Sequence, residues 1–157
     1  MKKALIIEDQ NYTAVFVKRA LTKEFNFEVK LAENGKEGIL QYSKGKPDII
    51  FLDVSMPEMN GLDFIKYLRN NLNDRDTYVV IMTAISDKNL VAKFIEHGIV
   101  DYILKPLDYT QLIKRLKLIF SKIPDFLPAE TTSEIPEQEK PVENEPDKPE
   151  DTEKNPE

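Results

Sequence analysis

Five short aliphatic runs alternate with amphipathic stretches along the first 123 residues, and this order constrains the fold more than any other feature. The runs cover residues 4–7, 29–31, 49–52, 79–82 and 102–104. Each is too short for a buried helix, so we predict five strands. The stretches between and after them have helical periodicity over residues 11–24, 36–44, 62–70, 88–97 and 108–122. In the first helix we expect Val15, Ala20 and Leu21 to face inward.

Alternating strands and helices, with almost continuously apolar strands, are typical of a parallel sheet covered on both faces. We therefore predict an α/β fold with a doubly wound, five-stranded parallel sheet. In such sheets ligands bind at the carboxyl ends of the strands, so polar residues at these ends are the first candidates for a functional site.

The acidic charge of the chain is concentrated in its C-terminal part. The 157 residues have a formal net charge of −6, yet residues 124–157 carry 12 acidic and 3 basic side chains and 7 of the 10 prolines. The few apolar side chains of this C-terminal part bury too little surface to offset an ordering cost of ~1–2 kcal/mol per residue. We predict a folded domain over residues 1–123 and a disordered, Pro/Glu-rich tail over residues 124–157. The apolar patch from Ile123 to Pro128 is a candidate for docking on a partner or on the body.

Composition also excludes several classes of protein. The chain has no cysteine, which rules out a disulfide scaffold and a thiolate metal site. No apolar run approaches the ~18 residues of a membrane span, and the four apolar residues near the start are too few for a signal peptide. We expect a cytoplasmic protein without membrane insertion. The dispersed charge of the body and the acidic tail argue against nucleic-acid binding.

Polar side chains stand at the ends of four of the five predicted strands. They are Glu8 and Asp9 after the first strand, Asp53 after the third, Thr83 after the fourth and Lys105 after the fifth. Three carboxylates in one cleft repel one another unless a cation neutralises them, and Mg²⁺ suits such a site because it prefers oxygen ligands. A metal ion, an ammonium and a hydroxyl around one carboxylate can stabilise a transferring phosphoryl group.

Four segments in this order carry a family resemblance: residues 6–9 (IIED), 48–61 (DIIFLDVSMPEMNG), 82–84 (MTA) and 101–106 (DYILKP). Together they resemble the response-regulator receiver domain, the CheY-like phosphoacceptor of two-component signalling. The resemblance extends from residue 2 to about residue 122 and implies a flavodoxin-like (βα)5 fold.

The resemblance implies a role for each acidic strand-end residue. Asp53 matches the phosphoacceptor, which attacks a phosphohistidine on a sensor histidine kinase or a phosphotransfer protein. Asp9, Asp53 and the backbone carbonyl of Ser55 match the ligands of Mg²⁺, and Glu8 matches the neighbour that acts on the metal through water.

The remaining motif residues match the switching groups of the family. Lys105 matches the lysine that pairs with the phosphoryl group, and Pro106 matches a proline whose peptide bond is often cis. Thr83 matches the hydroxyl that swings toward the phosphoryl oxygen, and Tyr102 matches the aromatic residue that turns inward with it. Bulky, apolar Ile85 stands beside the phosphoryl site, and our hypothesis is that it hinders the hydrolytic water and prolongs the phosphorylated state.

We predict a stand-alone signalling switch whose output is protein binding, and which catalyses only its own phosphorylation and dephosphorylation. The resemblance implies an output surface formed by the fourth helix, the fifth strand and the fifth helix, between Lys88 and Lys122. No motif identifies the downstream partner, and dimerisation through this surface on phosphorylation is left open.

Two other interpretations remain open at this point. A metal-dependent phosphohydrolase of the haloacid dehalogenase kind also uses a strand-end aspartate, but it needs a second aspartate two positions on, where this chain has Ser55. A receiver-like docking module with an unused site is the other interpretation, although the strand-end residues are all present.

Overall fold

Five strands form one parallel sheet in the order β2-β1-β3-β4-β5. The computed structural model describes residues 1–127. The strands are β1 (Lys3–Ile7), β2 (Glu28–Ala32), β3 (Ile49–Asp53), β4 (Tyr78–Thr83) and β5 (Asp101–Leu104). The predicted α/β class and five-stranded parallel sheet are confirmed.

Five α-helices connect and follow the strands, close to the predicted ranges. They are α1 (Asn11–Phe25), α2 (Gly35–Lys44), α3 (Gly61–Lys66), α4 (Lys88–Glu96) and α5 (Tyr109–Ser121). The third continues as a π-helical segment, Tyr67–Asn71. The side chains of Asn60 and Asp108 cap α3 and α5 by accepting backbone N–H groups, which locates these helix starts. None of the helices within residues 1–127 is long and apolar enough to span a membrane.

The sheet is buried on both faces. One face packs against α1 and α5, and the other packs against α2, α3 and α4. All residues of β3 are buried, as expected for a central strand that is covered on both sides. The carboxyl ends of β1, β3 and β4 consequently open at one edge of the sheet, with helices on either side.

The predicted inward face of α1 is wrong at one position. Ala20 and Leu21 are buried as expected, but Val15 is 49% exposed. The buried face instead continues through Ala14 and Val17, which lie three and four residues from their buried neighbours along the helix.

The chain continues to pack on the body just beyond residue 123, the predicted domain boundary. Phe126 is buried, and its ring lies 5.8 Å from that of Phe27 and 5.7 Å from that of Phe120. Aromatic contacts of this kind outweigh the local polarity that suggested an earlier end. Part of the patch from Ile123 to Pro128 thus docks on the body. The predicted disorder beyond Leu127 lies outside the described residues.

Candidate functional site

Three carboxylates meet at the carboxyl edge of the sheet. Glu8 and Asp9 follow β1, Asp53 ends the neighbouring strand β3, and each offers an oxygen within 4.8 Å of the others. Glu8 and Asp53 are buried, whereas Asp9 is exposed. The parallel pairing of β1 with β3 is what brings these residues together.

Lys105 reaches this acidic cluster from the end of β5. Its Nζ lies 2.6 Å from Glu8 Oε2 and 3.3 Å from Asp53 Oδ1. The backbone N–H of Lys105 donates to the carbonyl of Thr83 at 2.7 Å, which ties the two strand ends together. The peptide bond between Lys105 and Pro106 is cis, as the resemblance implied.

The cluster is short of positive charge. Burial, together with the charge of Asp53, raises the pKa of Glu8 to about 7, because the hydrogen bond and the charge of Lys105 offset these effects only in part. Burial also raises the pKa of Asp53, although the charge of Lys105 works in the opposite direction. One ammonium therefore does not compensate for two buried carboxylates.

The donor set fits a hard divalent cation. Carboxylate oxygens on Glu8, Asp9 and Asp53 converge within a distance that one ion can bridge. Mg²⁺ prefers such ligands, and it would supply the positive charge that this buried cluster lacks. The residues present therefore match the magnesium site that the sequence predicted.

Backbone groups around Asp53 complete the site. The N–H of Ser55 lies 3.4 Å from Asp53 Oδ1, so the loop after β3 helps to orient this carboxylate. The start of α3 comes very close to this loop. A Cβ on Gly61 would overlap the Asp53 carbonyl oxygen and lie 3.0 Å from Val54 Cα, so only glycine allows this approach.

The predicted switching residues stand apart from the acidic cluster. The Thr83 hydroxyl is buried and accepts the N–H of Ile85 at 3.0 Å. Tyr102 is 40% exposed, and the guanidinium of Arg115 lies 5.7 Å from the centre of its ring. The structure thus brings the three acids, Ser55 and Lys105 together, while Thr83 contacts its own loop and Tyr102 faces outward.

Sequence reasoning missed two features of the site. The backbone N–H of Gln10 donates to Glu8 Oε1 at 3.2 Å and so fixes the orientation of that side chain. A mainly apolar groove of about 580 Å³ lies beside Lys105 between α1 and the start of α5, lined in part by Phe16 and Tyr109. The aromatic residues at positions 12, 16 and 109 were the available signal for this groove.

Comparisons with known proteins agree with this geometry. The family model of the response regulator receiver domain matches residues 4–117. Response regulator ArlR of Staphylococcus saprophyticus is 33% identical over 124 residues, which cover 79% of this chain but 54% of that protein. The chain therefore spans about half the length of this relative.

Two relatives of the chemotaxis class are similar over most of their length. Chemotaxis protein CheY of Thermotoga maritima is 30% identical over 118 residues, covering 75% of this chain and 97% of the relative. A CheY of Borrelia burgdorferi, solved as a CheX-CheY-BeF3-Mg²⁺ complex, superposes with a TM-score of 0.68 at 26% identity and covers 76% of this chain and 89% of its own.

Proposed function

Because the chain belongs to the response regulator receiver family, we propose that it is a switch in which Asp53 accepts a phosphoryl group from a phosphohistidine. The observation that carries this proposal is the contact of Asp53 with the Lys105 ammonium, 3.3 Å away, beside the second buried carboxylate of Glu8. The phosphoryl donor is a sensor histidine kinase or a phosphotransfer protein.

In this reaction an oxygen of Asp53 attacks the phosphorus atom. A P–O bond forms and the P–N bond to the donor imidazole breaks, with the electron pair remaining on the imidazole nitrogen. Lys105 exchanges its contact with Glu8 for a phosphoryl oxygen and stabilises the charge that develops there. The Ser55 N–H keeps the attacking carboxylate oriented.

The site residues also support a role for Mg²⁺. Asp9, Asp53 and the backbone carbonyl of Ser55 would hold the ion, and Glu8 would contact it through water. When bound, the ion supplies positive charge next to the phosphoryl oxygens. The converging carboxylate oxygens and the raised pKa of Glu8 support this assignment, as does the Mg²⁺ in the Borrelia complex.

The proposed output is protein binding at the surface between Lys88 and Lys122, which we call the α4–β5–α5 face. The link from Asp53 to this face would run through Lys105, Thr83 and Tyr102, which biases a two-state equilibrium when the acceptor is phosphorylated. The backbone hydrogen bond between Lys105 and Thr83, and the exposed position of Tyr102 on β5, support such a path.

Intact mass spectrometry tests the acceptor directly. The protein is incubated with Mg²⁺ and acetyl phosphate, alongside Asp53→Asn, a magnesium-free sample and the matched control Asp63→Asn, which changes an exposed carboxylate on α3. We expect one phosphoryl adduct in the wild type and in the Asp63 variant, and none in the Asp53 variant or without metal.

An adduct that persists in Asp53→Asn would contradict the assignment of the acceptor. If the wild type shows no adduct and fails to bind fluoroberyllate although it binds Mg²⁺, the docking-module interpretation replaces the switch. Steady release of phosphate from small phosphomonoesters would instead favour the phosphohydrolase.

A further inference from the structure

The positive charge of the folded body is concentrated in one part of the chain. Residues 88–122 contain seven basic and three acidic side chains, a balance of +4, whereas residues 1–87 contain 12 basic and 13 acidic ones. Residues 128–157 contain 11 acidic and 3 basic side chains, a balance of −8. The most acidic segment and the most basic segment therefore belong to the same molecule.

Most of the basic side chains on the α4–β5–α5 face have no acidic partner in the body. Lys88, Lys93, Lys114 and Lys117 are exposed and form no ion pair within residues 1–127. Arg115 and Lys122 share a single carboxylate, that of Asp101. The face thus retains an excess of positive charge that local contacts do not neutralise.

The same face also exposes large apolar side chains. They come from three neighbouring elements: Ile95 from α4, Tyr102 and Leu104 from β5, and Leu118 from α5. A surface that combines exposed lysines with apolar side chains matches an acidic peptide that carries a few apolar anchors. Residues 134–145 have this composition, because they contain Ile135 and Val142 among five glutamates.

The acidic segment begins near the C-terminal end of α5, which is one of the three elements of this face. Phe126 packs on Phe120 of α5, so residue 127 is held close to the C-terminal end of that helix. The eight residues that follow Leu127, up to Ile135, can span at most roughly 27 Å, and a helix of the length of α5 is about 20 Å long. The first apolar anchor can therefore reach along the length of α5.

We infer that residues 128–157 occupy the α4–β5–α5 face of their own chain, through contacts between acidic side chains and lysines and through the anchors Ile135 and Val142. These contacts are made by side chains and not by backbone pairing with the edge strand β5, because the outward carbonyl of Tyr102 on that strand already accepts hydrogen bonds from Arg115. If the proposed function holds, on which this consequence rests, the segment competes with the downstream partner for the face.

The absence of cysteine makes a direct test straightforward. Asn144→Cys introduces one site for a nitroxide spin label on the full chain, and the loss of backbone amide signals in ¹⁵N NMR spectra reports which surface the segment approaches. We expect signal loss over α4, β5 and α5 but not over α2. The loss should disappear at about 1 M NaCl, where the Debye length is about 3 Å.

Paired charge variants provide the specificity control. Lys88→Glu with Lys114→Glu should abolish most of the signal loss, whereas Lys18→Glu with Lys23→Glu, which makes the same charge change at exposed positions of α1, should preserve it. The inference is overturned if no signal is lost, if the loss is centred on another surface, or if the loss is insensitive to salt. A mixing experiment excludes contact between molecules: a spin-labelled chain without ¹⁵N is added to a ¹⁵N-labelled chain that carries no spin label. Signal loss in this mixture also overturns the inference, because the contact is then between molecules.

This measurement needs no phosphoryl donor. Its failure would leave the proposed phosphorylation of Asp53 untouched, and failure of the phosphorylation experiment would not bear on the contact. The two proposals are therefore tested independently.

Discussion

The ammonium of Lys105 lies closer to Glu8, at 2.6 Å, than to the proposed acceptor Asp53, at 3.3 Å. Glu8 is buried and has little other compensation for its charge. In the proposed reaction Lys105 must therefore leave Glu8 to contact the phosphoryl group. Glu8 thus competes with the phosphoryl group for Lys105, and a bound Mg²⁺ would lessen this competition by supplying further positive charge to the carboxylates.

The raised pKa of Glu8 predicts that stability falls as pH rises. The ordinary pKa of this group is 4.5 and its pKa in the folded protein is about 7, so between these values the folded state binds more protons than the unfolded state. The free energy of unfolding should therefore decrease by up to about 3 kcal/mol across this range. Urea titrations of the metal-free protein at several pH values measure this slope.

Two variants and the metal identify the source of the slope. Glu8→Gln should reduce it, whereas Glu28→Gln, at an exposed position of β2, should leave it unchanged. Mg²⁺ should stabilise the wild type more at pH 8 than at pH 5, because the carboxylates are then ionised. Equal slopes in both variants would remove Glu8 as the cause.

Ile85 is expected to slow hydrolysis of the phosphorylated state. Its backbone N–H donates to the hydroxyl of Thr83, and its bulky side chain is half exposed at the edge of the site. Ile85→Ala should open a path for water and increase the dephosphorylation rate several-fold, measured by the loss of the adduct mass after removal of the phosphodonor. Ile95→Ala, which removes an exposed isoleucine from α4, is the control. A slower rate in Ile85→Ala would falsify the hypothesis.

Gly61 is predicted to be intolerant of any side chain. The added methyl group of Gly61→Ala would overlap the carbonyl oxygen of Asp53, so α3 or the loop after β3 must shift. We expect a loss of about 1–3 kcal/mol in the free energy of unfolding, measured in urea. Gly45→Ala is the matched control, because its Cβ would meet only the end of Lys30 at 3.7 Å. Equal stability of the two variants would show that the close approach carries no cost.

Arg69 is predicted to be essential for stability although it lies far from the acidic site. Its buried guanidinium donates to the carbonyls of Asp74, Thr77, His97 and Gly98, joining the π-helical segment to the start of β4 and the end of α4. Arg69→Met should lower the free energy of unfolding by at least about 3 kcal/mol, because these carbonyls lose their donor. Exposed Arg75→Met should change it little. A similar effect of both variants would mean that the network contributes nothing specific.

Much of the fold could be predicted from local sequence because strand and helix periodicities are local properties. The aliphatic runs at 49–52 and 79–82 became strands β3 and β4, and the last helix begins at Tyr109, directly after the capping residue Asp108. The candidate site followed from the same reasoning. Parallel strands place their carboxyl ends at one edge, so Asp53 and Lys105 had to approach one another once the sheet was inferred.

The sequence by itself determined the α/β class, the number of strands and which polar residues stand at their ends, since these depend on periodicity and chain order. Only the tertiary structure decided that Lys105 pairs with Glu8, 97 residues away, that Val15 faces outward and that Phe126 joins the core. Each of these depends on which surfaces meet when the layers pack. That choice is made by contacts between distant segments, and no local pattern records it.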